Sequence, residues 1–158
     1  MKKKKIFRVI LIVFLISLAG GGGYAYYLWN MPQRNVQETP VDFKLNASQL
    51  VEEYLNDAKT ANQKYLSDDG DSKVLAITGT VNKIDDDMNK QKVVLLKTES
   101  DKAGVSCTFT SATNSHAQNL KAGDIVTIKG VIRSGASYDS DLEMYENVII
   151  EKCDLIHQ

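Results

Sequence analysis

The chain has 158 residues, which leaves room for one folded domain and one additional segment. Its net charge of −1 hides a split, because six of its 19 basic residues (Lys2 to Lys5, Arg8 and Arg34) precede the first acid, Glu38. From residue 35 onward 13 Lys and Arg face 20 Asp and Glu, a net of −7. That balance weighs against binding a phosphate backbone, and two cysteines without metal-type spacing weigh against a structural zinc.

Residues 1–5 form a basic stub, and Ile6 to Trp29 is a largely apolar stretch whose one charge is Arg8. As a helix this stretch would rise roughly 36 Å, more than the hydrocarbon core of a bilayer. Arg8 can snorkel toward the headgroups beside the lysines, while Tyr24, Tyr26, Tyr27 and Trp29 gather at the opposite end, where amphipathic rings prefer the interface. The positive-inside bias then places the N-terminus in the cytoplasm and everything after Asn30 beyond the membrane, facing a periplasm if the bacterium has one. The alternative is a signal peptide cleaved after Ala25, with an apolar region from Ile6 to Ala19. Against it, Gly20 to Gly23 is followed by more aromatic sequence rather than a polar start. Leu18-Ala19-Gly20 is followed by glycine, so a lipid-modified cysteine is excluded at this junction.

Residues 30–45 hold both prolines, Pro32 and Pro40, and read as an extended linker. A helix is expected from Ala47 to Leu66, with Leu50, Tyr54, Ala58, Ala61 and Tyr65 on one apolar face. Asn46 with Gln49 fits a capping box, which explains Asn46-Ala47-Ser48 better than a glycosylation sequon does. The turn formers Ser67 to Asp71 end the helix.

From residue 73 the hydrophobic period becomes two. Strands are expected at Val74 to Ile84, with a bulge or bend at Gly79, and at Lys92 to Thr98 and Gly104 to Thr110. After a polar connection with one helical turn through His116 to Leu120, further strands follow at Ile125 to Ile132 and Asn147 to Ile156. The expected core is Leu75, Ile77, Val81, Val94, Leu96, Val105, Cys107, Phe109, Val126, Ile128, Ile149 and Leu155. The fold class is mainly β within α+β: an N-terminal transmembrane helix, then an amphipathic helix packed on a five-stranded OB-type Greek-key barrel over residues 46–158.

The chain resembles the tRNA-anticodon-like OB-fold family (tRNA_anti-like) of bacterial membrane-anchored proteins and predicted lipoproteins. The matching pieces are Ala61-Asn62-Gln63-Lys64-Tyr65, Val74-Leu75-Ala76-Ile77-Thr78-Gly79-Thr80-Val81, Gly104-Val105-Ser106-Cys107-Thr108-Phe109 and Leu120-Lys121-Ala122-Gly123-Asp124-Ile125-Val126-Thr127-Ile128-Lys129-Gly130. Asn30-Met31-Pro32-Gln33-Arg34 is similar to the segment that follows the membrane span in short-linker members, and Cys153 resembles the family's late cysteine. After Gly130 the sequence departs, running through Val131-Ile132-Arg133 into an acidic loop. The family name records a likeness of fold to anticodon-binding domains.

No constellation points to catalysis, and no cofactor is implied. Asp85, Asp87 and Asn89 mimic the opening ligands of a calcium loop, but Lys90 stands where the obligatory glycine belongs and Leu96 where a bidentate Glu belongs, so a hairpin turn is expected. His116 and His157 have no ligand partners at metal spacing and read as surface residues. Cys107 and Cys153 are two buried thiols or one disulfide, with a reactive thiol the least favoured reading. OB barrels commonly bind on the face of their second and third strands. A binding surface is therefore expected around Lys97, Phe109, Tyr138 and Tyr145, the last two surrounded by Asp139, Asp141, Glu143 and Glu146. The favoured function is a membrane-anchored, extracytoplasmic binding or interaction module for a protein, peptide or small ligand. The alternative is a nucleic-acid-binding OB protein.

Overall fold

The computed structural model describes residues 17, 20–27, 29–30, 35–67 and 71–156. The chain divides into two compact units, Met1–Arg34 and Asn35–Gln158.

In the first unit residues 20–27 are helical, and the backbone N–H of Asn30 donates to the Tyr26 carbonyl at 3.0 Å. Tyr24, Tyr26, Tyr27 and Trp29 are exposed. Among the described residues no helix is long and apolar enough to cross a membrane. Most of the expected span, Ile6 to Trp29, lies outside the described residues, as does His157.

The described residues of the second unit form eight strands: β1 (Phe43–Asn46), β2 (Val74–Asp86), β3 (Lys92–Leu96), β4 (Val105–Phe109), β5 (Ile125–Ser134), β6 (Ser137–Asp139), β7 (Met144–Glu146) and β8 (Val148–Leu155). Two helices, α1 (Ala47–Asn56) and α2 (Ala58–Tyr65), lie between β1 and β2, and a 3-10 turn spans Asn114–Ala117. Strands β2, β3, β4, β8 and β5 pair in that order, and β5 returns to β2, closing a five-stranded barrel. The pairing of β4 with β8 is parallel and the other barrel pairings are antiparallel, the Greek-key arrangement of an OB fold.

Closure depends on the length of β2. Its first half pairs with β5 and its second half with β3, and the register shifts between Val81 and Lys83. That irregularity bends the strand around the barrel, as a bulge does. Gly79, where the bend was expected, has another role: a Cβ there would lie 2.9 Å from the Ala47 Cβ, so the missing side chain lets α1 approach the sheet.

Alternation along β3 and β4 fills much of the interior. Val94 and Leu96 of β3 and Val105, Cys107 and Phe109 of β4 point inward, joined by Leu75, Ile77, Val81 and Ile128. On β8 the inward residues are Val148, Ile150 and Cys153, so Ile149, expected in the core, faces outward. A one-residue change of parity moves a strand's whole apolar set to the other face, and Val148-Ile149-Ile150 offers no polar residue to mark it. Val126 and Leu155 are only partly buried and pack against the core from its margin.

Two local features differ from expectation. The single helix from Ala47 to Leu66 is broken at Asp57 (φ −152°, ψ 85°), which caps α2 by accepting from the Thr60 N–H at 3.0 Å and the Thr60 hydroxyl at 2.6 Å. The break turns α2 so that Ala61 and Tyr65 stay buried while Ala58 is exposed. The capping box is also absent. Asn46 makes no side-chain cap, because it belongs to β1, which pairs in parallel with β2 through Asn46 and Thr78. Gln49 donates instead to Glu53 at 3.2 Å. All of strand β1 except Asn46 lies within the stretch expected as linker. Its four residues are held by a partner 32 positions away in sequence, as in the Phe43–Leu75 pair.

Glu53 ties the two helices together. It accepts from the Lys64 ammonium at 2.9 Å and from the Tyr65 hydroxyl at 2.7 Å. The same ammonium lies 4.7 Å from the Tyr65 ring centroid and 5.5 Å from that of Phe43. Burial raises the Glu53 carboxyl, but these hydrogen bonds outweigh it and leave the group below its usual range.

Candidate binding surface

The outer face of β3 and β4 follows from the same alternation that fills the core. Val93 and Leu95 stand outward beside Thr108 and Ser106, their register partners, and Ile149 continues the row next to Ser106. The strip is neutral and part apolar. Lys83, which pairs with Leu95, is held by Asp85 in a 2.7 Å ion pair, so its charge is locally balanced.

The turn joining β2 to β3 lies at one end of this strip. The Asp87 carboxylate accepts from the backbone of Asn89 and of Gln91, both at 2.8 Å, so it is used as a turn clamp. Asp86 pairs with Lys92 at 2.8 Å. Among the described residues no cluster of metal-ligating side chains forms. His116 meets Asp154 through its Nδ1 at 2.6 Å, joining the 3-10 turn to β8, a link across 38 positions that no local spacing could reveal.

Strands β6 and β7 pair as a separate two-stranded hairpin with Tyr138 opposite Tyr145. A free two-stranded hairpin is marginal in water. This one is fixed at its base, where Ala136 is buried and the Asn147 side chain accepts from the Gly104 N–H at 2.8 Å. The Tyr138 and Tyr145 ring centroids are 4.9 Å apart, and the Lys102 ammonium lies 5.7 Å from that of Tyr145. Lys97 donates to the Lys102 carbonyl at 3.3 Å. Three of the expected surface residues, Lys97, Tyr138 and Tyr145, thus converge on the loop between β3 and β4.

The fourth does not. Phe109 is 1% exposed, with its ring in the barrel interior, and is no surface residue. Its parity matches Val105 and Cys107, and a closed barrel of this size fills its inside with side chains. Leu142 at the hairpin tip, Met144 at the start of β7 and Ile125 at the start of β5, none of them among the expected surface residues, are exposed. An apolar residue isolated within an acidic run was the available signal for the first two.

Lys97 also lines a cleft of about 370 Å³ between the start of α1 and the barrel, with Asn46, Ser48, Thr78, Asp101 and Ile125. Asp101 in this cleft is already used. It accepts from the Thr98 N–H and hydroxyl, each at 2.7 Å, and from Ser48 at 3.1 Å. Burial raises its carboxyl, and these bonds bring it below the usual range.

Cys107 and Cys153 are buried free thiols on neighbouring strands. Cys107 pairs with Ile150, whereas Cys153 pairs with Phe109, and Lys152 between them adopts φ 53°. The cysteines are therefore offset by one step along the parallel β4–β8 ladder, and their adjacent thiols are unbridged. Burial pushes the Cys153 thiol well up, and the adjacent Cys107 thiol adds to it.

The sequence pattern of the tRNA_anti-like family matches residues 1–141. Among curated proteins none matches the sequence. A solved structure from Klebsiella pneumoniae subsp. pneumoniae MGH 78578, named a "putative nucleic acid-binding lipoprotein", superposes with a TM-score of 0.54 at 14% identity. The match covers 75% of this chain and 100% of that one, and at this identity it is a likeness of fold.

Proposed function

We propose, from the premise that this chain belongs to the tRNA_anti-like family, that it is a membrane-tethered, extracytoplasmic OB-fold module that binds a protein or peptide rather than catalysing a reaction. The observation that carries this reading is the strip of Val93, Leu95, Ser106, Thr108 and Ile149, which presents neutral and apolar groups where OB barrels commonly bind. Stacking platforms for single-stranded nucleic acid combine exposed aromatics with a basic groove. Here the corresponding strands supply neither, and the unit carries 20 acids against 13 bases.

The tether rests on the charge split and on Ile6 to Trp29. The excess of Lys and Arg on the N-terminal side, Lys2 to Lys5 and Arg8 against Arg34 on the other, favours a cytoplasmic N-terminus. A nucleic-acid-binding OB protein is the second reading, favoured by the name of the Klebsiella neighbour.

One pair of measurements separates the two. A C-terminal phosphatase fusion, active only outside the cytoplasm, is expected to be active in cells. Fluorescence anisotropy with a labelled single-stranded oligonucleotide is expected to show no saturable binding at physiological salt. An inactive fusion together with salt-sensitive oligonucleotide binding overturns the proposal in favour of the second reading.

A further inference from the structure

We infer that the β6–β7 hairpin is a protein-docking finger whose partner presents an apolar surface bordered by Lys or Arg; the inference rests on the binding-module reading. Large exposed hydrophobics in the described part of the second unit are Met88, Ile125, Tyr138, Leu142 and Met144, and three of these five belong to the hairpin. Leu142 is 68% exposed, Tyr138 54% and Met144 52%. Scattered apolar residues on a surface need no explanation, but Leu142 and Met144 concentrate exposed apolar area at the end of one hairpin, with Tyr138, which pairs with Tyr145, on its other face.

The charge pattern identifies the occupant. No Lys or Arg occurs between Arg133 and Lys152, whereas Asp139, Asp141, Glu143, Glu146 and Glu151 do. Two of these carboxylates serve the hairpin itself. Asp139 accepts from the Asp141 and Leu142 N–H groups at 2.8 and 3.1 Å, and Glu146 accepts from the Ser137 hydroxyl. Among the described residues, Asp141 and Glu143 form no side-chain hydrogen bond or ion pair, and they flank Leu142 at the tip. An apolar side chain between two unneutralised carboxylates complements an apolar pocket with a cationic rim.

The turn between β2 and β3 provides an internal contrast. It too carries acids beside an exposed apolar residue, Met88, but Asp85 and Asp86 are paired with Lys83 and Lys92, and Asp87 clamps the turn. Its charge is spent within the fold, and the hairpin tip's is not.

The test uses the full chain in zwitterionic lipid nanodiscs, with empty discs as the blank, and a labelled amphipathic Leu/Lys peptide as the probe. Binding is expected to exceed that of a Gly/Lys peptide and of a Leu/Glu peptide by about tenfold or more. The double variant Leu142→Ser/Met144→Ser is expected to weaken it about tenfold. Asp141→Asn/Glu143→Gln is expected to weaken it roughly threefold and to flatten its salt dependence. Met88→Ser leaves it unchanged. Equal binding of the Gly/Lys peptide, or no binding by the unaltered chain, overturns the proposal. Full binding by both hairpin variants overturns it as well; if Leu95→Ser abolishes that binding, the barrel-face reading stands while the hairpin proposal falls.

Discussion

Tyr54 and Gly135 are packed so closely that no side chain fits at position 135: a Cβ built there meets the Tyr54 ring. Tyr54 lies on α1, and Gly135 begins the segment that leads from β5 into the hairpin. The contact joins the helix that precedes the barrel to the element that projects from it.

Gly135→Ala is therefore expected to destabilise the protein by about 1–3 kcal/mol through overpacking. Thermal melting of Gly135→Ala, alone and combined with Tyr54→Leu, checks this. The second substitution should recover part of the loss, because the two residues share one contact and their effects are not additive.

Tyr54→Phe should have the opposite sign. The Tyr54 ring is buried, and its hydroxyl has no hydrogen-bond partner among the described residues. Burial, then the nearby Tyr65 and Glu53, pushes its pKa up to about 12. Deleting an unpaired buried hydroxyl removes a desolvation cost, so the variant is expected to be neutral or up to about 1 kcal/mol more stable. A loss of more than about 1 kcal/mol in urea unfolding would show that the hydroxyl is satisfied in solution.

Glu53→Gln should expose the pH dependence of the helix clamp. The folded carboxyl lies below its ordinary value of 4.5, so its contribution is present above that value and is lost as pH falls through the lowered folded pKa. The substitution should cost about 0.5–1 kcal/mol at pH 7. At about pH 3 the difference between the variant and the unaltered protein should be smaller than at pH 7. Urea titrations at the two pH values measure the difference directly.

Both cysteines should count as thiols. With Cys107 and Cys153 both free thiols, a maleimide added to unreduced, denatured protein is expected to label two groups. In the folded protein, burial and the raised Cys153 pKa should block labelling over a time that suffices for the denatured chain. Two groups that appear only after reduction would establish a disulfide between β4 and β8.

Much of the barrel was written in local pattern. Period-two alternation around Val94, Leu96, Val105, Cys107 and Phe109 located two strands and their inner faces, because a pleated strand sends successive side chains to opposite sides. The same rule failed at Val148-Ile149-Ile150, where three apolar residues in a row leave parity undefined. Helix propensity runs through Asp57, where the Asp57 cap on Thr60 and the packing of Ala61 and Tyr65 against the core together favour a break. Of the expected surface, Tyr138 and Tyr145 were legible as aromatics in an acidic loop. Phe109 was expected both in the core and on the binding surface; its alternation with Val105 and Cys107 already favoured the core, where it lies.

The sequence by itself determined an acidic, β-rich domain preceded by a basic, apolar segment, since charge and periodicity are properties of the chain. The tertiary structure decided which residues meet: β1 beside β2, His116 against Asp154, Lys102 over Tyr145, and the two cysteines one step out of register. Each joins positions far apart in sequence, where pairing depends on strand order and closure, and these are set by the burial of the whole core rather than by any local preference.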